Sequence, residues 1–198
     1  YSEKTSDKRA GISGSLNYSG IKGLEIAAVA GVDYVLSENL GITPPTAYSE
    51  LTSGADERER GILTKDKNTK MNLSSNVRVT YNKMFGKHDL TLGANFDYYS
   101  DHVDNLGITG YGLSKKMQSP SGVNQSIEGN RKPSFTSRNE KTAQLGIGVL
   151  AGYSWNGIYD LFGTYKSDAS SVLPSDKRWN SAWAVGGGWT LSNYSFLR

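Results

Sequence analysis

The chain of 198 residues has no cysteine, five prolines and two histidines. The absence of cysteine excludes a disulfide-stabilised scaffold and any metal site built from thiolates. No run of about 18 apolar residues is present, so the sequence predicts no transmembrane helix. The 22 basic and 19 acidic residues nearly balance, whereas nucleic-acid-binding domains usually carry a strongly basic face. We therefore expect no nucleic acid among the partners.

What the chain has instead is strict alternation of apolar and polar residues, clearest near its C-terminal end. Tyr159, Leu161 and Tyr165 share one face, and Trp183 and Trp189 do the same after a short charged loop. A period of two is the geometry of a β-strand. The hydrophobic fraction of 36% is low for a soluble domain, but a barrel strand needs an apolar residue only at every second position. The pattern is typical of a transmembrane β-barrel.

The same pattern predicts seven strands, at about residues 9–18, 24–36, 70–82, 89–98, 143–153, 159–168 and 178–191. Two long polar segments, 37–69 and 101–139, are expected to be loops, and they alternate with short turns. Outer-membrane barrels have this asymmetry, with short periplasmic turns and longer extracellular loops. We therefore predict an all-β, antiparallel transmembrane β-barrel segment. The charge run ADERER at 55–60 is expected to be a solvated loop; the alternative is an ion-pair network that braces the loop against a partner.

Tyrosine and tryptophan residues are concentrated near both ends of the predicted strands. These two residue types are enriched where a membrane meets water. We predict that they form two lipid-facing girdles in the outer membrane. The girdle beside the short turns comprises Tyr18, Tyr81, Tyr153, Tyr159 and Trp189, and the girdle nearer the long loops comprises Tyr34, Tyr98, Tyr165 and Trp183.

The opposite face of the predicted strands is charged. A Lys or Arg that faced lipid at the membrane midplane would cost about 2–4 kcal/mol. We therefore expect this face to line a water-filled lumen, with Glu25, Asp33, Arg78, Asp89, Asp97, Lys166 and Arg178 on it.

No metal site is predicted. His88 and His102 are expected in a turn and a loop on opposite sides of the membrane, so they cannot share an ion. Asp101, Asp104 and Asn105 offer oxygen ligands for Ca²⁺, but the segment lacks the glycine and the spacing of an EF-hand loop. We expect no metal and no cofactor.

No catalytic constellation is predicted either. Asp160 and Asp168 share a strand face, and paired carboxylates can hydrolyse glycosides. Their spacing along a strand puts them roughly 26 Å apart, which excludes joint catalysis. No cysteine nucleophile exists, and no serine, histidine and aspartate share a plausible location. We predict that the protein is not an enzyme.

Several motifs carry a family resemblance. The C-terminal stretch has an Asp-small-Ser-Ser run, a basic-Trp pair, a Gly-Trp pair and a Phe-Leu pair, at residues 168–171, 178–179, 188–189 and 196–197. A Phe-Gly-Lys-His turn occupies 85–88, and a Gly-Leu pair opens a strand at 23–24. In these motifs the chain resembles the SusC/RagA-type TonB-dependent transporters of the Bacteroidetes outer membrane.

The resemblance implies a barrel of about 22 strands with a plug inside, which imports oligosaccharides or peptides with energy passed from the TonB complex. It also implies a SusD-like surface lipoprotein as a lid. Residues 1–198 are then expected to form part of the barrel domain, without the plug and without the N-terminal part that contacts TonB. An open seven-stranded sheet would leave unpaired edges in the bilayer, which favours a section of a longer transporter of a Gram-negative bacterium.

Two other interpretations remain open at this point. A small complete porin-like or adhesin-like barrel would have an even number of strands, commonly from eight. A membrane-embedded lipid hydrolase would need a serine and a histidine together at one strand end, and the sequence offers no such pair.

Overall fold

The computed structural model describes residues 1–116, 119–124 and 131–194. The described residues form seven strands in one sheet, and each strand lies beside its neighbours in sequence. The strands are β1 (Ser2–Ile21), β2 (Leu24–Thr43), β3 (Ile62–Phe85), β4 (His88–Tyr111), β5 (Ser134–Trp155), β6 (Tyr159–Ser170) and β7 (Trp179–Trp189). Helical structure is limited to α1 (Tyr48–Leu51) and the 3₁₀ turns Glu57–Glu59, Pro120–Gly122 and Leu191–Asn193. The predicted all-β fold and the seven strands are confirmed.

The predicted loop boundaries are wrong, because the strands extend far into the two polar segments. β2 continues to Thr43 and β3 begins at Ile62, so the first connection spans 44–61. β4 continues to Tyr111 and β5 begins at Ser134, so the second connection spans 112–133. A strand needs only about 9–11 residues to cross a bilayer, whereas β3 and β4 have 24 residues each.

The contacts divide the chain into two compact units. The first unit comprises residues 1–10, 33–71 and 102–141. Its core contains Leu63 and Leu113, which are 1% and 3% exposed. The carboxylates of Glu50 and Glu59 are also buried there. Glu59 lies in the ADERER run, so the expectation of a solvated loop is wrong for this residue, although residues 56–58 are exposed.

The second unit comprises residues 11–32, 72–101 and 142–198. Large apolar side chains are exposed on its strands, as shown by Trp183 and Val185, which are 77% and 67% exposed. The buried residues include Gly146, Gly148 and Ser167. This unit therefore lacks an ordinary apolar core, since most of its large apolar side chains are exposed and Ile158 is the one large apolar residue that is buried among its described residues.

The register of β5, β6 and β7 confirms the predicted faces. Tyr165 pairs with Val149 on one side and with Trp183 on the other. Tyr159 pairs with Trp155 and Trp189 in the same way. Because directly paired residues point to the same side of a sheet, these aromatic and aliphatic residues form one continuous apolar face.

Tight turns hold the strand pairs of the second unit together. Asn156 and Gly157 have φ angles of 56° and 65°, which is the backbone that an Asn-Gly hairpin turn requires. Gly23 has a φ of 83° and gives a similar turn between β1 and β2. No helix among the described residues is long and apolar enough to cross a membrane.

Candidate functional site

A network of amides and a carboxylate lies on the polar face of β3 and β4. The Asn76 amide donates a hydrogen bond to Asp97 Oδ1. The Asn95 amide donates to Asp97 Oδ2 at 2.8 Å. Both oxygens of the Asp97 carboxylate are therefore held by neutral donors, which stabilise a negative charge at this point.

Two glycines of β5 form the floor beside this network. A Cβ at Gly146 would lie 2.9 Å from Asp168 Oδ1 and 3.5 Å from the Asp97 Cβ. A Cβ at Gly148 would overlap the side-chain amide of Asn95. A side chain at either position would displace a polar side chain that crosses the backbone of β5 from a neighbouring strand.

An open groove of about 560 Å³ lies on this face within the second unit. Lys166 Nζ lies 3.1 Å from Asp168 Oδ2 in its wall. Both signs of charge line the groove together with amide and hydroxyl groups: Asp97, Tyr99, Gln144, Lys166, Asp168, Ser170, Arg178 and Asn180. Three of the residues predicted to face a lumen, namely Asp97, Lys166 and Arg178, are thus brought together.

The loop beside the groove is braced by the residues that follow β6. Arg178 Nε donates to the Leu173 carbonyl oxygen at 3.3 Å. Ser171 Oγ accepts from the Ala143 N–H at 2.8 Å, and the Ser171 N–H donates to the Ala143 carbonyl at 2.8 Å. These bonds fix one rim of the groove.

The sequence analysis missed two apolar residues on the polar face. Phe162 and Leu150 are both exposed, and Phe162 pairs with Gly152 on β5 and Gly186 on β7. A Cβ at Gly186 would overlap the Phe162 ring. The glycines paired with Phe162 on the two neighbouring strands leave room for its ring. This arrangement could not be recognised from the sequence, because the pairing of the three positions is known only from the strand register.

The predicted girdle residues near the short turns include a ladder of stacked rings. Tyr159 stacks on Trp155 and on Trp189, with centroid distances of 5.7 and 6.2 Å. Tyr194 meets Trp189 edge-on at 6.5 Å, and its hydroxyl lies 2.6 Å from that of Tyr159. The sequence analysis placed neither Trp155 nor Tyr194 in the girdle.

The other seven predicted girdle residues lie on seven different strands, one on each. Tyr153 Oη lies 2.5 Å from His88 Nδ1. Tyr165 pairs with Trp183, and its hydroxyl donates to Ser181 Oγ at 3.0 Å. The remaining four are Tyr18 on β1, Tyr34 on β2, Tyr81 on β3 and Tyr98 on β4, of which Tyr34 belongs to the first unit.

The described residues contain no group of three or more His, Asp or Glu side chains that could hold a metal ion. Asp101, Asp104 and Asn105 lie within β4 and not in a loop, so Asp104 points to the face opposite the other two. His88 and His102 also belong to β4, which corrects their predicted places in a turn and a loop.

The ionic contacts of the first unit lie outside the groove. Arg138 Nη2 donates to Glu140 Oε2 at 2.6 Å on an exposed part of β5. This hydrogen bond lowers the pKa of the Glu140 carboxyl and raises the pKa of the Arg138 guanidinium. The two side chains are 65% and 50% exposed, so water screens the pair and its contribution to stability is small.

No model of a known protein family matches the chain, and no curated protein matches it. Among solved structures, the chain is similar to the RagAB peptide importer in its closed-closed state, with a TM-score of 0.78 and 22% sequence identity. The same importer in its open-open state gives a TM-score of 0.71 at 22% identity. All of this chain is covered in both comparisons, but it spans only 21% of the importer chain.

At this identity the similarity establishes the fold. The structure therefore confirms the fold that the sequence motifs indicated, since the chain folds like a section of the RagA-type β-barrel. Of the motifs that carried the resemblance, the Phe-Leu pair at 196–197 lies outside the described residues.

Proposed function

We propose that the chain is a section of a SusC/RagA-type transporter of the Gram-negative outer membrane, which imports oligosaccharides or peptides. The observation that carries the proposal is the continuous exposed apolar face of the second unit, in a chain that follows the fold of a solved peptide importer over its whole length. An exposed apolar face opposite a polar groove is the arrangement of a barrel wall between lipid and water. No described feature of the chain supports catalysis.

The apolar face of β5, β6 and β7 is the lipid-contacting surface in this proposal. Val149, Leu161 and Val185 lie between the two rows of aromatic residues and would contact acyl chains. The nine predicted girdle residues would meet the interfaces, and the ladder adds Trp155 and Tyr194 on the side of the short turns. Stacked rings suit this position because they bury an apolar surface while hydroxyl and indole groups reach water.

The polar groove forms part of the lumen wall and contacts the substrate during passage. Its carboxylates, amines and amides offer hydrogen bonds to sugars and peptides alike, while no single charge sign dominates. A wall of this kind binds weakly at many points, which suits a path that a substrate must leave as well as enter.

The partners follow from the same proposal. The first unit, with its two connections, would carry the surface that a SusD-like lipoprotein contacts, and the solved structures of the RagAB importer support a partner of that kind. Residues 1–198 belong to the barrel domain, and the plug and the TonB-contacting segment lie outside them. The energy for import comes from the TonB complex.

The test is uptake by cells that lack the full-length gene. A deletion strain is expected to lose growth on one class of oligosaccharide or peptide and to regain it with the intact gene. Import should stop when the proton gradient is collapsed. Recovery of the protein in the soluble fraction, or uptake that continues without the gradient, would contradict the proposal.

A further inference from the structure

A buried carboxylate connects two distant segments in the first unit. Glu50 is 3% exposed, and it lies on α1 within the first connection. Its Oε2 accepts from the Gly61 N–H at 2.9 Å and from Arg131 Nη1 at 2.6 Å. Arg131 lies 81 positions further along the chain, near the end of the second connection. A single oxygen therefore joins both connections.

Arg131 is fixed on a second side by an aromatic ring. Its guanidinium carbon lies 5.7 Å from the centre of the Tyr111 ring, and Tyr111 is the last residue of β4. A guanidinium over a tyrosine ring is attracted by the electrons of the ring. Arg131 is thus held between the end of β4 and the carboxylate of α1, with its own side chain only 25% exposed.

Close packing around Gly61 surrounds the ion pair. Gly61 has a φ of 88°, and a Cβ there would lie 2.8 Å from the Leu113 Cβ and 3.1 Å from Pro45 Cδ. The Gly112 N–H donates to the Glu59 carbonyl at 3.2 Å. Residues 112–113 and 59–61 therefore cannot separate without opening this packing around the Glu50 carboxylate.

A second ion pair joins the same two connections but is exposed. Lys115 Nζ lies 3.2 Å from Glu57 Oε1, and the two side chains are 64% and 75% exposed. Exposed pairs of this kind contribute little to stability. Removal of one partner of a buried pair is far more disruptive, because the other charge stays in the interior without compensation. The exposed Lys115–Glu57 pair therefore serves as a control for the effect of burial on the Glu50–Arg131 pair.

We propose that Glu50 and Arg131 form a lock that couples residues 44–61 to residues 111–116 and Arg131, so that these described parts of the two connections open together. Opening either connection requires the Glu50–Arg131 contact to break, and breaking it releases both. The proposal concerns the loops alone and holds whether or not the protein is a transporter.

Hydrogen exchange followed by mass spectrometry tests the lock in the full-length membrane-embedded protein. Arg131→Met is compared with Lys115→Met, which removes the exposed pair by the same substitution. We expect Arg131→Met to speed exchange about 100-fold in peptides from both 44–61 and 111–116, since removing one partner of a buried pair is strongly destabilising. Lys115→Met should change exchange less than about threefold.

The double variant Glu50→Gln/Arg131→Met separates the lock from simple loss of packing. It should exchange no faster than Arg131→Met alone, because the uncompensated carboxylate is gone; a faster rate would mean independent roles and overturn the proposal. Faster exchange in only one connection, or equal effects of Arg131→Met and Lys115→Met, would also overturn it. If Arg131→Met does not assemble, Arg131→Lys is used instead, because it keeps the charge but loses the planar guanidinium. Hydrogen exchange should then still rise together in peptides from 44–61 and 111–116.

Discussion

The two units of the chain bury opposite kinds of residues. The first unit has an ordinary small core, in which Leu63 and Leu113 are covered and the buried Glu50 carboxylate has polar partners. The second unit exposes Trp183, Val185 and many other large apolar side chains, and covers glycines and serines. The first unit therefore has a covered apolar core, whereas the second leaves its large apolar side chains exposed, as the proposed contact with lipid requires.

The two units also differ in how far their ion pairs are exposed to water. In the first unit, Glu50 and Arg131 form a buried pair. In the second unit, Lys166 and Asp168 are paired on an open face, with side chains 61% and 51% exposed. Loss of one partner costs little in an exposed pair but leaves an uncompensated charge in a buried one, so the same substitution has different consequences in the two units.

The largest expected effect tests which face of the second unit meets lipid. Val185→Arg and Ala184→Arg change neighbouring exposed residues of β7 that point to opposite faces. Val185→Arg should destabilise the inserted protein by about 2–4 kcal/mol, whereas Ala184→Arg should fall within about 0.5 kcal/mol. The measurement is the urea midpoint of folding into vesicles. Equal midpoints for the two variants would mean that both faces of β7 are exposed to water.

The next effect tests the glycine floor of the groove. Gly148→Ala should destabilise the protein by about 1–3 kcal/mol, because the new methyl group displaces Asn95. Gly14→Ala is the control, since a Cβ at Gly14 would meet nothing within 4 Å. In an Asn95→Ala background, Gly148→Ala should no longer reduce the stability that is measured by denaturation. A penalty that persists in that background would contradict the packing described here.

A smaller effect tests the aromatic ladder. Trp189→Leu keeps an apolar side chain but removes the stack on Tyr159, so it should cost about 0.5–1.5 kcal/mol. Val185→Leu changes the same face of the same strand outside the ladder and should be nearly neutral. The temperature at which the folded band shifts on an unboiled gel reports both. The ladder has no role in stability if the two variants shift alike.

The smallest effect concerns the pair on the polar face. Lys166→Met removes the contact with Asp168 and should change stability by at most about 1 kcal/mol. Urea denaturation of Lys166→Met and Arg131→Met compares the two pairs directly. A Lys166→Met loss as large as that of Arg131→Met would show that the groove is not open to water.

The faces of the second unit could be predicted because its strands alternate apolar and polar residues, and alternate side chains of a strand point to opposite faces. The alternation of Tyr159, Leu161 and Tyr165 was sufficient to place Trp183 and Trp189 on the same side before the register was known. Phe162 was missed because it breaks the alternation, and only its two glycine neighbours on other strands explain how it fits.

The long strands of the first unit could not be predicted for the same physical reason. Residues 134–141 of β5 are exposed throughout, so neither face needs to be apolar and no alternation appears in the sequence. The lock was equally hidden, because Glu50 and Arg131 lie 81 positions apart and each resembles an ordinary surface charge. Alternation reveals a strand only where its two faces meet different surroundings.

The most direct test of the proposal that one face of the second unit meets lipid and the other meets water uses the absence of cysteine from the chain. Single cysteines are placed at residues 181–187 of β7 in the full-length protein, in a background without other cysteines, and labelled in intact vesicles with a charged maleimide. The account predicts labelling at 182, 184 and 186 and protection at 183, 185 and 187. Uniform labelling along β7 would contradict it, because a sheet that is wet on both sides protects neither face.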